Sequence, residues 1–297
     1  MSTRDTYLVI GPSEVGKTAL VSTLQRAAQM RARGGLAIEV RSLNSATDEL
    51  FDKFNQSIQR GEIPHKASER VTQYAFELKV SEKVFGFFPT STAAEIRMLD
   101  GPGAAIFKGE GAGDVDFEAL EKYQSVLREE LKTATGLVIC ASAVDPKLAY
   151  TFCKDLPRMF NELRLPKLPM ARVAVIVNKI DQWCSQEGLG RGSLERLQRE
   201  SPMKMARAML RKQVFGALRQ FLPDSSQVGF GFASAYGFIE DEGSPNYDAN
   251  TGGMKLRLDQ GADVLDHWEP YKVLDPFVFV TSGRRMGLEV VAARDLP

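Results

Sequence analysis

The chain has little of what disulfide frameworks, zinc sites and polyanion-binding proteins require. Its 297 residues include three cysteines and two histidines. Cys140, Cys153 and Cys184 lack the CxxC spacing of zinc sites and are odd in number. The 38 basic and 38 acidic residues cancel to a formal net charge of zero, so no overall field attracts nucleic acid or an anionic membrane. We therefore expect no disulfide framework, no structural zinc and no specific nucleic-acid partner.

Long hydrophobic runs are also missing. No apolar stretch approaches the roughly 18 residues that a membrane-spanning helix needs. The first residues, with the letters MSTRD, run directly into a strand pattern. Hydrophobic residues make up 43% of the chain and charged residues 26%, which is typical of globular proteins. These features predict a cytoplasmic globular protein with no membrane span.

Short β-branched runs alternate along the chain with segments of helical periodicity. Strand patterns occupy residues 7–10, 74–80, 95–99, 136–140, 173–177 and 228–232, and helix patterns occupy residues 17–32, 117–132, 147–163 and about 202–221. The second and third strands can form a hairpin, and Ser201 before Pro202 is typical of a helix start. The alternation predicts an α/β fold of three layers, with a mostly parallel six-stranded sheet and helices on both faces.

The first motif is a glycine-rich loop at residues 11–18, called the phosphate loop below. Its letters, GPSEVGKT, fit GxxxxGK[ST], with a strand pattern before it and a helix pattern after it. Glycines allow backbone N–H groups to turn towards a phosphate, and the helix N-terminus adds its positive dipole. We expect Lys17 to neutralise the phosphate oxygens and Thr18 to bind Mg²⁺. The alternative is a glycine-rich turn that binds nothing.

The second motif follows the strand pattern at residues 95–99. The letters DGPG at residues 100–103 fit DxxG. The Asp100 carboxylate can hold the Mg²⁺ shell through water, and the Gly103 N–H can face a γ-phosphate. Because Asp, Gly and Pro also make a good turn, this interpretation depends on the phosphate loop.

The third motif, NKID at residues 178–181, lies at the end of the strand pattern 173–177 and fits [NT]KxD. The Asp181 carboxylate can accept hydrogen bonds from N1–H and the exocyclic amine of guanine, which adenine does not offer in that geometry. Lys179 can lay its aliphatic stem along the ring face, and Asn178 can connect this segment to the phosphate loop. A polar turn between strand and helix is the alternative.

The fourth motif, SAYG at residues 234–237, follows the sixth strand pattern and is called the base loop below. Its Ala235 N–H can donate to guanine O6. Taken alone, these letters also describe an ordinary loop. The order of the motifs is the stronger argument, since each follows a strand, and ligands bind at the carboxyl ends of strands in open α/β sheets.

In this order the four motifs resemble those of the Ras-like, translation-factor-related (TRAFAC) P-loop GTPases, over most of residues 6–238. The long segment before residue 74 and the letters WEP at residues 268–270 are similar to bacterial GTPases of the double-GTPase kind. The resemblance implies a Ras-like fold, GTP and GDP as ligands, Mg²⁺ as cofactor and slow hydrolysis. It also implies switching through a protein effector or activating partner, with a second GTPase among the candidates.

The resemblance also implies the site residues. The expected nucleotide contacts are Ser13, Glu14, Val15, Gly16, Lys17, Thr18, Ala19, Asn178, Lys179, Asp181, Ser234, Ala235 and Tyr236. The expected Mg²⁺ ligands are Thr18, Thr72 and Asp100, and the expected catalytic residues are Lys17, Thr72 and Gly103.

Two segments leave alternatives open. Thr72 is preferred to Ser68 as the first-switch hydroxyl, and Arg70 is either a transition-state arginine or an exposed surface residue. Ala104 stands where Ras-like enzymes often have the Gln that orients the attacking water. Alanine cannot orient water, so we expect slow intrinsic hydrolysis.

We expect one GTPase domain over residues 1–297, with a helical extension at 184–222 and a C-terminal surface loop and closing element at 239–297. Three functions remain open. The first is a GTP-hydrolysing switch, and the second is an interaction module that binds GTP or GDP with negligible turnover, which Ala104 favours. The third is a P-loop kinase or ATPase, which leaves the NKID motif unexplained.

Overall fold

The structure is a computed structural model. It describes residues 5–12, 14–31, 36–60, 71–82, 90–100, 117–145, 158, 160–161, 167–168, 170–239, 243–255 and 269–297. Most of the helix predicted at 147–163 lies outside these residues.

Strands and helices alternate through most of the described chain. The strands are β1 (Thr6–Ile10), β2 (Leu36–Ser42), β3 (Thr72–Glu82), β4 (Thr90–Asp100), β5 (Gly136–Ser142), β6 (Arg172–Asn178), β7 (Gln227–Phe232), β8 (Phe238–Ile239), β9 (Ser244–Pro245), β10 (Tyr247–Asp248), β11 (Gly253–Met254) and β12 (Glu289–Ala292). The helices are α1 (Lys17–Ser22), α2 (Leu24–Arg31), α3 (Ser45–Gln59), α4 (Phe117–Thr133), α5 (Ile180–Gln186), α6 (Ser193–Arg199), α7 (Pro202–Phe221) and α8 (Asp275–Ser282).

Over the described residues, the main sheet has eight strands in the order β12-β7-β6-β5-β1-β4-β3-β2. Strands β4, β1, β5, β6 and β7 run parallel to one another. The predicted hairpin is confirmed, because β3 pairs antiparallel with β4; β2 pairs antiparallel with β3, and β12 with β7. The α/β class and the mostly parallel sheet are therefore confirmed.

The predicted number of strands is wrong, because β2 and β12 join the six that the sequence indicates. Both missed strands lie at the edges of the sheet. In β12 all four residues are only partly buried, and in β2 only Ile38 is fully buried. Edge strands carry a weak hydrophobic pattern, and their pairing depends on contacts that are distant in sequence.

The helix predicted over residues 17–32 is interrupted at Thr23. Its hydroxyl donates to the carbonyl of Leu20 at 2.9 Å. Helix α1 ends at the residue before Thr23, and α2 begins at the residue after it. A threonine hydroxyl that bonds back to its own helix competes with the regular ladder. The predicted start of α7 is confirmed, because the Ser201 hydroxyl accepts a hydrogen bond from the Lys204 amide at 3.1 Å.

Alternate residues of β1 face two hydrophobic clusters on opposite sides of the sheet. Leu8 and Ile10 belong to the cluster that includes buried residues of α4 and α7. Tyr7 and Val9 belong to the cluster that includes α1, α2 and α8. Helix α7 packs on β5, β6 and β7, and α8 crosses β3 to β7 on the other face. The sheet is therefore covered on both faces, as predicted.

We expect replacement of Phe277 in α8 by alanine to lower the free energy of unfolding by about 3–5 kcal/mol. The Phe277 side chain is 0% exposed, and its ring meets Phe76 of β3 edge to face, with centroids 6.0 Å apart. The matched control is Leu43→Ala, because Leu43 is 41% exposed and should change stability by less than about 0.5 kcal/mol. Urea unfolding measures both, and equal effects would show that α8 is not part of the core.

Candidate functional site

The predicted motifs lie together at the carboxyl ends of the parallel strands. β1 leads into the phosphate loop, β4 ends at Asp100, β6 ends at Asn178, and β7 leads to the base loop. Because these four strands are aligned in parallel, their carboxyl ends lie on the same side of the sheet. The fold therefore brings together segments that are more than 200 residues apart in sequence.

The backbone of the phosphate loop adopts left-handed conformations at two positions. Glu14 has a φ of 62° and Gly16 a φ of 83°, with Val15 between them. Such turns arrange successive N–H groups into anion-binding concavities. A Cβ atom at Gly16 would lie 2.7 Å from Nδ2 of Asn178, so this position also needs glycine for lack of space. Glu14 is a non-glycine residue with positive φ, a strain that is common at functional sites.

Lys17 lies beneath this loop with only 4% of its surface exposed. Its Nζ donates hydrogen bonds to the carbonyls of Gly11 at 3.0 Å and Pro12 at 2.6 Å. Burial lowers the pKa of Lys17, and the nearby Asp100 carboxylate opposes that shift. The ammonium group is thus held in a fixed position and shielded from water, where its attraction for a phosphate is strengthened.

The three predicted Mg²⁺ ligands lie together. The Thr18 hydroxyl donates to Oδ2 of Asp100 at 2.8 Å, and Thr72 is directly opposite Asp100 in the β3–β4 ladder. Opposed residues of an antiparallel pair share one face of the sheet. Among the described residues no cluster of three His, Cys, Asp or Glu could hold a metal. Two hydroxyls and one carboxylate fit Mg²⁺, which uses few protein ligands together with water and phosphate oxygens.

Asn178 connects β6 to the phosphate loop, as the sequence predicts. Its Nδ2 donates to the carbonyls of Val15 at 2.9 Å and Gly16 at 3.0 Å. The next residue, Lys179, has a φ of 59°, and its aliphatic stem runs past Gly16. Burial lowers the pKa of Lys179, with Glu14 the main opposing charge. The NKID segment and the phosphate loop therefore form one hydrogen-bonded unit.

Asp181 is 0% exposed, and neither of its carboxylate oxygens has a hydrogen-bond partner among the described residues. Burial raises its pKa to about 6. The Ser234 hydroxyl, nearby backbone amides and the Lys179 charge act in the opposite direction, but none is in hydrogen-bonding geometry with either oxygen. Buried polar groups are normally paired, so this carboxylate is the group at the site that most needs a donor.

The base loop is held by its own side chain and by the chain beyond it. The Ser234 hydroxyl accepts hydrogen bonds from the amides of Tyr236 at 3.2 Å and Gly237 at 2.8 Å. The backbones of Ser234 and Tyr271 exchange two hydrogen bonds. Nδ2 of Asn246 donates to the Tyr236 carbonyl at 3.1 Å. These contacts fix the path of the backbone around the Ala235 amide.

Sequence reasoning missed Asn246 and Tyr271 because their roles depend on tertiary contacts. Asn246 lies in a Gly-, Asn- and Asp-rich tract whose composition predicts a surface loop, yet Ser244, Asn246 and Met254 of that tract are buried. No local pattern distinguishes an asparagine that caps a distant loop from one that faces solvent.

Some predicted residues lie outside the described part of the chain. They are Ser13, Ser68, Arg70, Gly103 and Ala104. Their roles stay predictions. The remaining predicted site residues all lie in or beside the four segments at this edge of the sheet.

Comparison with known proteins adds no family assignment. No family model matches the chain, and no curated protein is significantly similar to it. In the described ranges, no helix is both long enough and apolar enough to cross a membrane.

We expect Asp181→Asn to stabilise the nucleotide-free protein at neutral pH. The folded-state pKa of about 6 lies above the ordinary value of 3.8, so the folded state binds this proton more tightly than the unfolded state. The free energy of unfolding therefore falls as pH rises between these two pKa values. Relative to a pH below both, the loss is about 1 kcal/mol at pH 4.5 and about 3 kcal/mol at pH 7.5. Asparagine carries no charge, so the variant should recover much of this difference.

Urea unfolding at both pH values, without nucleotide, measures the effect. The control is Asp52→Asn, because Asp52 is exposed on α3 and its replacement should change stability by less than about 0.5 kcal/mol. A lower stability of Asp181→Asn at both pH values would contradict the prediction.

Proposed function

We propose that the protein binds GTP and GDP with Mg²⁺, hydrolyses GTP slowly and acts on a protein partner as a nucleotide-controlled switch with a Ras-like fold. The observation that carries this proposal is the buried carboxylate of Asp181, which has no hydrogen-bond partner in the described part of the chain. Asn178, three residues before it, connects it to the loop that surrounds Lys17. The proposed phosphate site and the proposed site for two hydrogen-bond donors would thus lie side by side at the carboxyl ends of the strands.

Guanine fits the Asp181 carboxylate better than adenine does. Guanine presents N1–H and a 2-amino group side by side, and these two donors match the two carboxylate oxygens. Adenine presents N1 as an acceptor on the same edge, so it would leave both oxygens without partners. A buried acceptor that stays unpaired costs about 1–3 kcal/mol, and this difference would provide the selectivity.

The phosphate end of the site supports binding of a di- or triphosphate. The Lys17 ammonium is fixed by two carbonyls and can neutralise phosphate oxygens. Bound Mg²⁺ would supply further positive charge at the β- and γ-phosphates, and Thr18, Asp100 and Thr72 are the residues that would hold it. The chain's own contribution is to position the phosphates and to exclude water from Lys17.

The switch output would pass through β3. Thr72 is its first residue, so a ligand that engages the Thr72 hydroxyl acts directly on the strand and on the segment before it. Loss of the γ-phosphate would release that contact, as in switch segments that order around a γ-phosphate. A module that binds nucleotide with negligible turnover is the second candidate, and Ala104 favours it because alanine cannot orient water. A kinase or ATPase would leave Asp181 without a partner.

We expect calorimetry with Mg²⁺ to show binding of GTP and GDP at least about 100-fold tighter than binding of ATP, because adenine leaves Asp181 unpaired. Asp181→Asn should weaken GDP binding by about 100-fold and allow binding of xanthosine diphosphate, whose 2-oxo group accepts a hydrogen bond from the new amide. The gain of a new base separates recognition by residue 181 from a general loss of structure.

The control is Lys17→Ala, which should weaken the binding of GTP, GDP and ATP alike, because Lys17 is expected to interact with phosphate and not with the base. ATP binding as tight as GTP binding would overturn the assignment of Asp181. Failure of Asp181→Asn to bind xanthosine diphosphate, in a folded protein that has lost GDP, would also contradict it.

We expect single-turnover hydrolysis of GTP by the isolated chain at about 10⁻⁴–10⁻³ s⁻¹, the range of intrinsic rates for unassisted switches. Thr72→Ala should reduce the rate about tenfold and raise the Mg²⁺ concentration needed, as expected on loss of a metal ligand. The matched control is Thr90→Ala, at the other end of the same hairpin, with an unchanged rate. No hydrolysis with or without cell lysate would favour the binding module, and several turnovers per second would contradict slow hydrolysis.

A further inference from the structure

A small apolar cluster separate from the two main ones lies beside the base loop. Its buried members are Phe54 and Ile58 of α3, Ala235 and Tyr236 of the base loop and Met254 of β11, and Ala19 of α1 packs against them. We call this set the clamp cluster. It is the place where α3, the base loop and the helix that follows the phosphate loop meet.

The contact between Phe54 and Tyr236 is the centre of the clamp cluster. Their rings are nearly parallel, with an interplanar angle of 17° and centroids 6.2 Å apart. Phe54 is 3% exposed and Tyr236 is 6% exposed. Since Tyr236 follows Ala235 directly, a shift of the Tyr236 ring moves the amide that is expected to face guanine O6.

The other end of α3 is fixed to β3. The Thr47 hydroxyl donates to the carbonyl of Ala75 at 3.0 Å and accepts from the Ala75 amide at 2.9 Å. Nδ2 of Asn44, the N-cap of α3, donates to the Gln73 carbonyl at 3.0 Å. Helix α3 therefore spans from the strand that begins at Thr72 to the base loop.

We propose that α3 clamps the base loop through Phe54 and thereby sets the rate at which guanine nucleotide dissociates. This inference rests on the proposed function and adds a positioning residue to it, since Phe54 acts on the loop through Tyr236. A partner that moves α3 would release nucleotide without touching the base or the phosphates.

Because the clamp cluster is small, we expect it to open without disruption of the main core. Its few side chains form a unit apart from the two main clusters, and regions with few buried contacts open at lower free energy than the core. Loss of the Phe54 ring would leave a cavity on one side of Tyr236 and free the loop to move. Hydrogen bonds weaken steeply with small changes in distance and angle, so the Ala235 contact would be lost first.

The test compares Phe54→Ala with Phe51→Ala in the full chain. Both residues are phenylalanines on α3, and both are buried, Phe51 at 2% exposure. Phe51 packs in the main cluster together with buried residues of β3, so its loss controls for general destabilisation. The readout is dissociation of N-methylanthraniloyl-GDP chased with excess GDP, with thermal unfolding measured on the same samples.

We expect Phe54→Ala to accelerate dissociation at least tenfold and Phe51→Ala to change it less than threefold, with similar losses of thermal stability. Phe54→Leu keeps part of the apolar contact and should lie between wild type and Phe54→Ala; it also provides the test if Phe54→Ala does not fold. The affinity ratio of GDP to inosine diphosphate should stay unchanged in the Phe54 variants, since both bases carry O6 and differ at the 2-amino group.

Equal acceleration by the Phe51 and Phe54 variants would overturn the proposal in favour of general loosening. Unchanged dissociation in a folded Phe54 variant would overturn it as well. A wild-type chain that binds no guanine nucleotide overturns the proposed function itself, and that result is distinct from either failure of the clamp.

Discussion

The two hydrogen bonds from the Asn178 amide to the phosphate loop join the halves of the site. They run from the last residue of β6 to the carbonyls of Val15 and Gly16, so the segment that carries Asp181 is connected to the loop that surrounds Lys17. The contact needs glycine at position 16, because a Cβ atom there would approach the amide to 2.7 Å. The Asn178 side chain thus connects the left-handed part of the loop to the segment that carries the buried carboxylate.

The site concentrates features that do not favour the stability of the folded chain by themselves. The Asp181 carboxylate is buried and has no hydrogen-bond partner within the described ranges, and Lys17 is a buried ammonium group that donates to two neutral carbonyls and lies near Asp100. The rest of the fold compensates through extensive apolar packing on both faces of the sheet. Such a division between a stabilising scaffold and a costly site is common where a ligand must be bound.

The C-terminal region and α3 enclose the base loop from different directions. Tyr271 and Asn246 bind its backbone, and Phe54 packs on its one aromatic side chain. Segments outside the four predicted motifs therefore contact the loop on its backbone and on its aromatic ring. Helix α3 contacts both the base loop, through Phe54 and Tyr236, and β3, through Thr47 and Ala75.

Local patterns predicted the α/β class, the six inner strands, the cap of α7 at Ser201 and the four motifs at the carboxyl ends of strands. They could do so because periodicity and glycine geometry are properties of short segments. They did not reveal β2 and β12, the break at Thr23, or the burial of Asn246 and Met254. These features depend on residues that are distant in sequence or on a particular side-chain conformation, and a local sequence pattern contains neither. The motifs predict which groups would bind phosphate and guanine, but not that Asp181 is buried with no hydrogen-bond partner among the described residues, because burial and pairing arise only in the folded chain.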